Sequence, residues 1–235
     1  DDDVPLPPEL HVPLGFLKRN DHVKGVCYPI SAATEDGSEN LLVDLQDAEY
    51  KMAGLVKQFQ SACGSAANAH GAISLWRRNV LSEKILWDHD TAFHGEDMYM
   101  GLLLHRMKQN FAISVSAGAV VPTFAPEDLL TLFRQRTTSW DLAAHRKFTT
   151  YVKELLTSWC GGMRSTIIKP FLLQEVLNTM LDWVRLPLLI GLFRRDPLTC
   201  TLCFVVFYNF LYLQIGLFNY KVLASRKDLR LRLRT

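Results

Sequence analysis

The fold class this sequence predicts is α/β: a strand-and-helix domain followed by an interfacial segment and a membrane-crossing helix. Three observations carry that expectation. Short runs of strand character, 23–30 (VKGVCYPI), 72–76 (AISLW) and 111–121, recur along the first half of the chain. Between them lie stretches with helical periodicity, 45–62 and the segment from Met98 through Leu102 to His105. Finally, Pro197 to Tyr220 contains no charged residue over 24 positions, and about 20 mostly apolar residues suffice to cross a bilayer.

Composition sets the outer limits. A chain of 235 residues can bury a sizeable core in one or two domains. With 26 basic and 24 acidic residues, its overall charge offers nothing in favour of nucleic acid as a partner. The distribution of charge is more telling, because acids dominate residues 1–50 while Lys221 to Arg234 holds six basic residues and one acid. Five cysteines form no disulfide-dense pattern, and Cys200-Thr201-Leu202-Cys203 lies in an apolar run with no second ligand pair nearby. That pair reads as two membrane-buried thiols and not as a zinc site.

The elements follow in order. Asp1-Asp2-Asp3-Val4 is expected at a strand end, with Pro5, Pro7 and Pro8 forcing an extended exit. After the strand at 23–30, the Glu35-Asp36-Gly37-Ser38 loop leads to a helix whose core face is predicted to be Leu45, Ala48, Met52, Leu55, Val56 and Phe59. Tyr50 on that helix reads as a core residue. Ser61 to Gly71 is rich in Gly, Ala and Ser, so its backbone can approach a ligand closely. The strand 72–76 precedes Arg77 and Arg78, which start a helix; guanidinium groups suit phosphate by their bidentate geometry. Two short strands are expected around Gly118, then a helix that starts at Pro126 with two acids behind it and runs towards Trp140.

The stretch that concentrates the chemistry is Gly95-Glu96-Asp97-Met98-Tyr99-Met100-Gly101. Carboxylates in the first turn of a helix feel the positive end of its dipole, which favours their charged form. A general base has to be ionised, rigid and within reach of a hydroxyl proton. His94 or His105 with these acids fits no zinc spacing, and each histidine reads as structural.

Four landmarks in this order resemble the membrane-bound family 2 glycosyltransferases, the group of chitin, hyaluronan and cellulose synthases and of fungal polysaccharide synthases. They are Asp1-Asp2-Asp3, then Cys63-Gly64-Ser65 with Arg77-Arg78, then Glu96-Asp97, then Arg136-Thr137-Thr138-Ser139-Trp140. The resemblance implies a GT-A-like domain, of which this chain would hold the later part, and a nucleotide-diphosphate sugar donor, a uridine diphosphate sugar by the family's habit. It implies Mg or Mn held by Asp1 and Asp3, with Asp97 as the catalytic base and Glu96 positioning it. Gly64, Arg77, Arg78, Arg136 and Trp140 would contact donor or acceptor. The last landmark departs from the family's Q-x-x-R-W, since Arg136 stands where Gln is usual and Ser139 where Arg is usual; the tryptophan is kept.

The acceptor implied is a growing glycan, or alternatively a lipid of the ceramide type. A decayed, membrane-anchored interaction protein is the reading from another class, and the altered last landmark is its support. The domain division expected is 1–160 for the catalytic part, 161–196 as an amphipathic interfacial segment, 197–220 as a spanning helix and 221–235 as a basic tail. The catalytic part is expected on the cytoplasmic side of the plasma membrane or Golgi. Because the sequence opens inside a motif, it is expected to be part of a longer protein and inactive alone.

Overall fold

The computed structural model describes Val4, Leu6, Pro7, residues 10–87, 96–107, 111–116, 120–137, 141–160, 168–221 and Ala224. Two parallel ladders run one after the other along the same pair of chain segments. β1 (Val23–Cys27) pairs with β4 (Ala112–Val115), and β2 (Ile30–Ala33) pairs with β5 (Val121–Phe124). The single run expected over 23–30 therefore breaks at Tyr28-Pro29. Proline has no N–H to give to a ladder and is found at such interruptions. β3 (Ser74–Trp76) adds to the other side of β1, antiparallel, so the larger sheet has the order β3-β1-β4.

Helices cover this sheet. α1 (His11–Arg19) packs its Leu17 with Val23 and Val26 of β1. α2 (Leu41–Ala62) begins where the side chain of Asn40 accepts from the amide of Leu42, and it lies on β2 and β4. The core face predicted for this helix is not the one it buries. Val43, Gln46, Asp47, Tyr50, Lys51, Gly54, Lys57 and Gln60 face inward, while Leu45 is 61 % exposed and Phe59 64 %. The reason lies in the partners the sheet offers. The Asp47 carboxylate accepts from the Ser31 hydroxyl at 2.8 Å and from the amide of Ala32 at 3.0 Å, and it pairs with Lys51 one turn on. Buried polar groups are tolerated when they are hydrogen-bonded; in this row Asp47 and Lys51 pair, Gln46 Nε2 donates to the Pro126 carbonyl at 2.8 Å, and Lys57 Nζ donates to Asn68 at 2.8 Å. Tyr50 is buried, as expected.

A short helix α3 (Arg78–Val80) runs into a wider π-helical turn, Leu81–Ile85. α4 (Glu96–Met107) buries Leu102, Leu103 and Leu104 on both sides of the domain. α5 (Leu129–Gln135) starts three residues later than Pro126, because the Asp128 side chain caps it by accepting from Thr131 at 2.9 Å. Gly118 and Trp140 lie outside the described residues.

α6 (Asp141–Cys160), α7 (Ile168–Arg195) and α8 (Pro197–Lys221) complete the chain. Within the segment expected to lie at an interface, 161–196, α7 is one 28-residue helix from Ile168 to Arg195. Its first half is docked, with Leu172 and Val176 against Tyr151 of α6 and Leu102 of α4. Trp183 still packs on Phe148 of α6 and donates its indole N–H to His145 at 2.7 Å; beyond it α7 leaves the domain and pairs with α8, the chain turning at Asp196. The Asp196 carboxylate accepts from both the amide and the hydroxyl of Thr199, which starts α8 cleanly. Farther along, Phe218 returns to the domain and sits 3.5 Å from where a Cβ on Gly54 would be. α7 and α8 are both long and apolar enough to cross a membrane. Cys200 and Cys203 sit on α8, the first buried and the second exposed.

Candidate active site

The site is built on the loop between α2 and β3. α2 ends at Cys63, and Gly64 follows at φ +129°, a conformation in which a side chain would be strained. That turn swings the chain back along β4. The Ala66 amide donates to the Ile113 carbonyl at 2.9 Å, and the Ile113 amide donates to the Ser65 hydroxyl at 2.9 Å. The Ala67 amide donates to the side chain of Gln60 at 3.0 Å, and His105 Nε2 donates to the Ala66 carbonyl at 3.1 Å. Every residue from Ser65 to Ala67 is thus tied down, which delivers Asn68 to a fixed place.

Asn68 bridges two charged side chains. Its Nδ2 donates to Asp97 Oδ2 at 3.0 Å, and its Oδ1 accepts from Lys57 Nζ at 2.8 Å. Asp97 Oδ1 accepts from the amide of Met98 at 2.8 Å, so the carboxylate is held from two directions in the first turn of α4. Burial pushes the Lys57 ammonium below its ordinary range, against the pull of Cys27, Asp97 and Glu175 nearby. Burial also raises the Tyr151 hydroxyl, with the acids Glu175 and Asp97 adding to the effect. Burial lowers His105 to about 4, so it is neutral near pH 7 and serves the scaffold, as expected from its sequence position. Behind this network lies a cavity of about 330 Å³ whose lining includes Lys57, Asn68, Met98, Tyr151, Phe171 and Glu175.

The other expected site residues are distributed differently. Gly64 shapes the loop that carries Asn68. The Arg77 guanidinium donates to the carbonyls of Val23, Leu17 and Asn20 and pairs with Asp21 at 3.1 Å, stitching the end of α1 to β3. Arg78 is exposed on the first turn of α3. The Arg136 fork grips both oxygens of Glu49, at 2.7 and 2.6 Å. Of Glu96 the backbone alone is described, as the first residue of α4, and Asp1, Asp3 and Trp140 lie outside the described residues. Among the described residues no three His, Cys, Asp or Glu side chains converge on a metal-sized site.

Sequence reasoning missed Lys57, Asn68 and Gly101. Gly101 carries the one readable signal: a glycine inside a helix weakens it by about 1 kcal/mol and implies a packing reason. Here a Cβ would fall 2.8 Å from Cα of Asn68.

A carboxylate fixed at a helix start, over an α/β sheet and beside a small-residue loop, can take a proton from a hydroxyl brought against it. The comparison with known families agrees with that class of chemistry. The model of the glycosyl transferase family group 2 matches residues 1–220, and the chain belongs to that family. It is therefore a sugar-transferring domain, and membership implies a nucleotide-sugar donor and a glycan acceptor. No curated protein matches the chain.

Proposed function

We propose that the protein is an inverting glycosyltransferase that moves a sugar from a uridine diphosphate donor to a growing polysaccharide at a membrane. The observation that carries this reading is Asp97, a carboxylate held by Asn68 and by its own helix start. Asp97 takes the proton as the acceptor hydroxyl attacks the anomeric carbon and the diphosphate leaves from the opposite face. One displacement with one base inverts that centre. The family's divalent cation, Mg or Mn, would be held by Asp1 and Asp3 and would supply charge neutralisation at the diphosphate.

Membrane attachment rests on the α7–α8 hairpin. Large apolar side chains cover its projecting part, among them Leu186 at 67 % and Val206 at 70 % exposed. Helices whose apolar surface is left uncovered by the protein are stable where lipid covers it. The run of α7 beyond Trp183 is about 18 Å long at 1.5 Å per residue, against a hydrocarbon core of about 30 Å. Such a hairpin draws the catalytic domain tight against the headgroups. We place that domain on the cytoplasmic side; the six basic residues from Lys221 onward favour this, against the two, Arg194 and Arg195, at the hairpin turn.

A lipid acceptor is the second reading. It is favoured by the cavity beside Asn68, because Val56, Met98, Leu102, Phe171 and Leu172 make much of its wall apolar. A radiolabelled-sugar assay on the protein in membranes tests both, together with Asp97→Asn. Labelled polymer supports the first reading and labelled glycolipid the second. Asp97→Asn should bind donor as before and transfer none. If it keeps more than a tenth of the normal turnover, another residue is the base.

A further inference from the structure

The base does not stand alone. Lys57 Nζ reaches both oxygens of Asn68, the side-chain Oδ1 at 2.8 Å and the main-chain carbonyl at 3.2 Å. A primary amide has one donor end and one acceptor end. With the acceptor end claimed by an ammonium, the donor end has to face Asp97. The reversed amide would set its oxygen against Asp97 Oδ2 and its NH₂ against the ammonium, losing two charge-assisted hydrogen bonds at once.

Further features make this a built arrangement. Lys57 is 9 % exposed, and Asn68 sits in a loop pinned to Ile113 and Gln60. Gly101, one turn after Asp97, lets α4 approach that loop within contact of its backbone.

We propose that Lys57 and Asn68 are positioning residues for the transfer reaction, Lys57 setting the orientation of the Asn68 amide and that amide setting the orientation and charge of Asp97. The inference rests on the reading of Asp97 as the base.

Among the described residues, the charged and titratable groups coupled to Asp97 include Lys57 of α2, Cys27 of β1 and Tyr151 of α6, with Glu175 of α7 coupled to Lys57 and Tyr151. Lys57 is the cation of that set; the other three carry negative charge when ionised. Losing the amide donor, or letting it turn, withdraws stabilisation from the ionised carboxylate, so the proton leaves it at higher pH.

The experiment is the pH profile of kcat, with donor KM, for the protein in membranes. It compares the parent with Lys57→Met, Asn68→Ala and the two combined. In each single variant we expect kcat to fall about 10- to 100-fold, as for misplaced catalytic groups, and the acid limb to move up by about one pH unit. Donor KM should stay within about twofold. In kcat the double variant should match Asn68→Ala, because Lys57 orients Asp97 through Asn68, while its acid limb should lie above that of Asn68→Ala, because the Lys57 charge also acts on Asp97 directly. An unmoved acid limb in Asn68→Ala, or a double variant whose loss of kcat is the product of the losses in the two singles, overturns the proposal. If Lys57→Met fails to accumulate, the acid limb of Asn68→Ala decides alone. Asp97→Asn separates the two levels. If it stays active, the base assignment has failed; if it is dead while the limb in Asn68→Ala is unmoved, the positioning role alone has failed.

Discussion

Gly101 and Ala67 are in backbone contact: a Cβ placed on Gly101 would stand 2.3 Å from the Ala67 carbonyl oxygen. Neither partner can give way easily. Ala67 is held by Gln60, and Gly101 lies inside α4 between residues buried on two sides. Gly101→Ala should therefore push α4 away from the loop, at a cost of about 1–3 kcal/mol for an overpacked interior. Transfer should fall much further than stability, because the Asn68–Asp97 hydrogen bond is the first contact to open. Thermal unfolding and sugar transfer measured on the same preparation check this. A variant with parental turnover would show that the contact has no bearing on the site.

The buried histidine at 105 predicts an acid limit on stability. Its pKa is lowered from 6.5 to about 4 by burial, so the folded protein resists protonating it while the unfolded chain does not. The stabilisation is complete above about pH 6.5 and is lost progressively as pH falls towards 4. The difference is worth on the order of 3 kcal/mol at the acid end. His105→Gln should flatten the decline in melting temperature between those two pH values. An unchanged slope would mean that other groups set the acid limit.

Arg136 and Glu49 form a fork-to-fork pair, with Glu49 more than half exposed. Pairs of this exposure are worth about 0–1 kcal/mol, so Arg136→Lys and Glu49→Gln should each cost no more than that. The donor KM should be unchanged in both, because this guanidinium is spent on α2. A rise in donor KM in Arg136→Lys that is absent from Glu49→Gln would return Arg136 to the donor site.

The hairpin gives a fourth outcome. A charge at the bilayer centre costs about 2.5–3.5 kcal/mol on the insertion scale, and Val206 lies midway along the exposed part of α8. Val206→Arg should reduce the fraction of protein that stays with membranes after alkaline extraction. Leu45→Arg, on the outer face of α2, serves as the comparison. If Val206→Arg extracts like the parent, α8 does not cross.

Much of the secondary structure was legible in the sequence. The strands of β1, β3 and β4, the helices α2 and α4 and the apolar character of α8 follow from the spacing of apolar residues and from turn signals. The place of Asp97 in the first turn of a helix was legible too, because two carboxylates at a helix start are a local pattern. The inward face of α2 was not. Periodicity marked Leu45, Val56 and Phe59 as core, yet the helix buries Asp47, Lys51, Lys57 and Gln60. A residue's burial is decided by what stands opposite it, and here β2 presents partners to Asp47, and the loop over 65–68 presents them to Lys57 and Gln60.

For the arginines, the resemblance implies that Arg77 and Arg136 contact donor or acceptor. Their forks close on Asp21 with three carbonyls, and on Glu49. By itself the sequence determined the helical character of α2 and α4, the strand character of β1, β3 and β4 and the apolar character of α8, since these depend on residues close together in the chain. Only the tertiary structure decided that Lys57, Asn68 and Asp97 meet. Eleven residues separate the first pair and 29 the second, and at such separations side-chain contacts depend on how helices and loops pack, which no local pattern encodes.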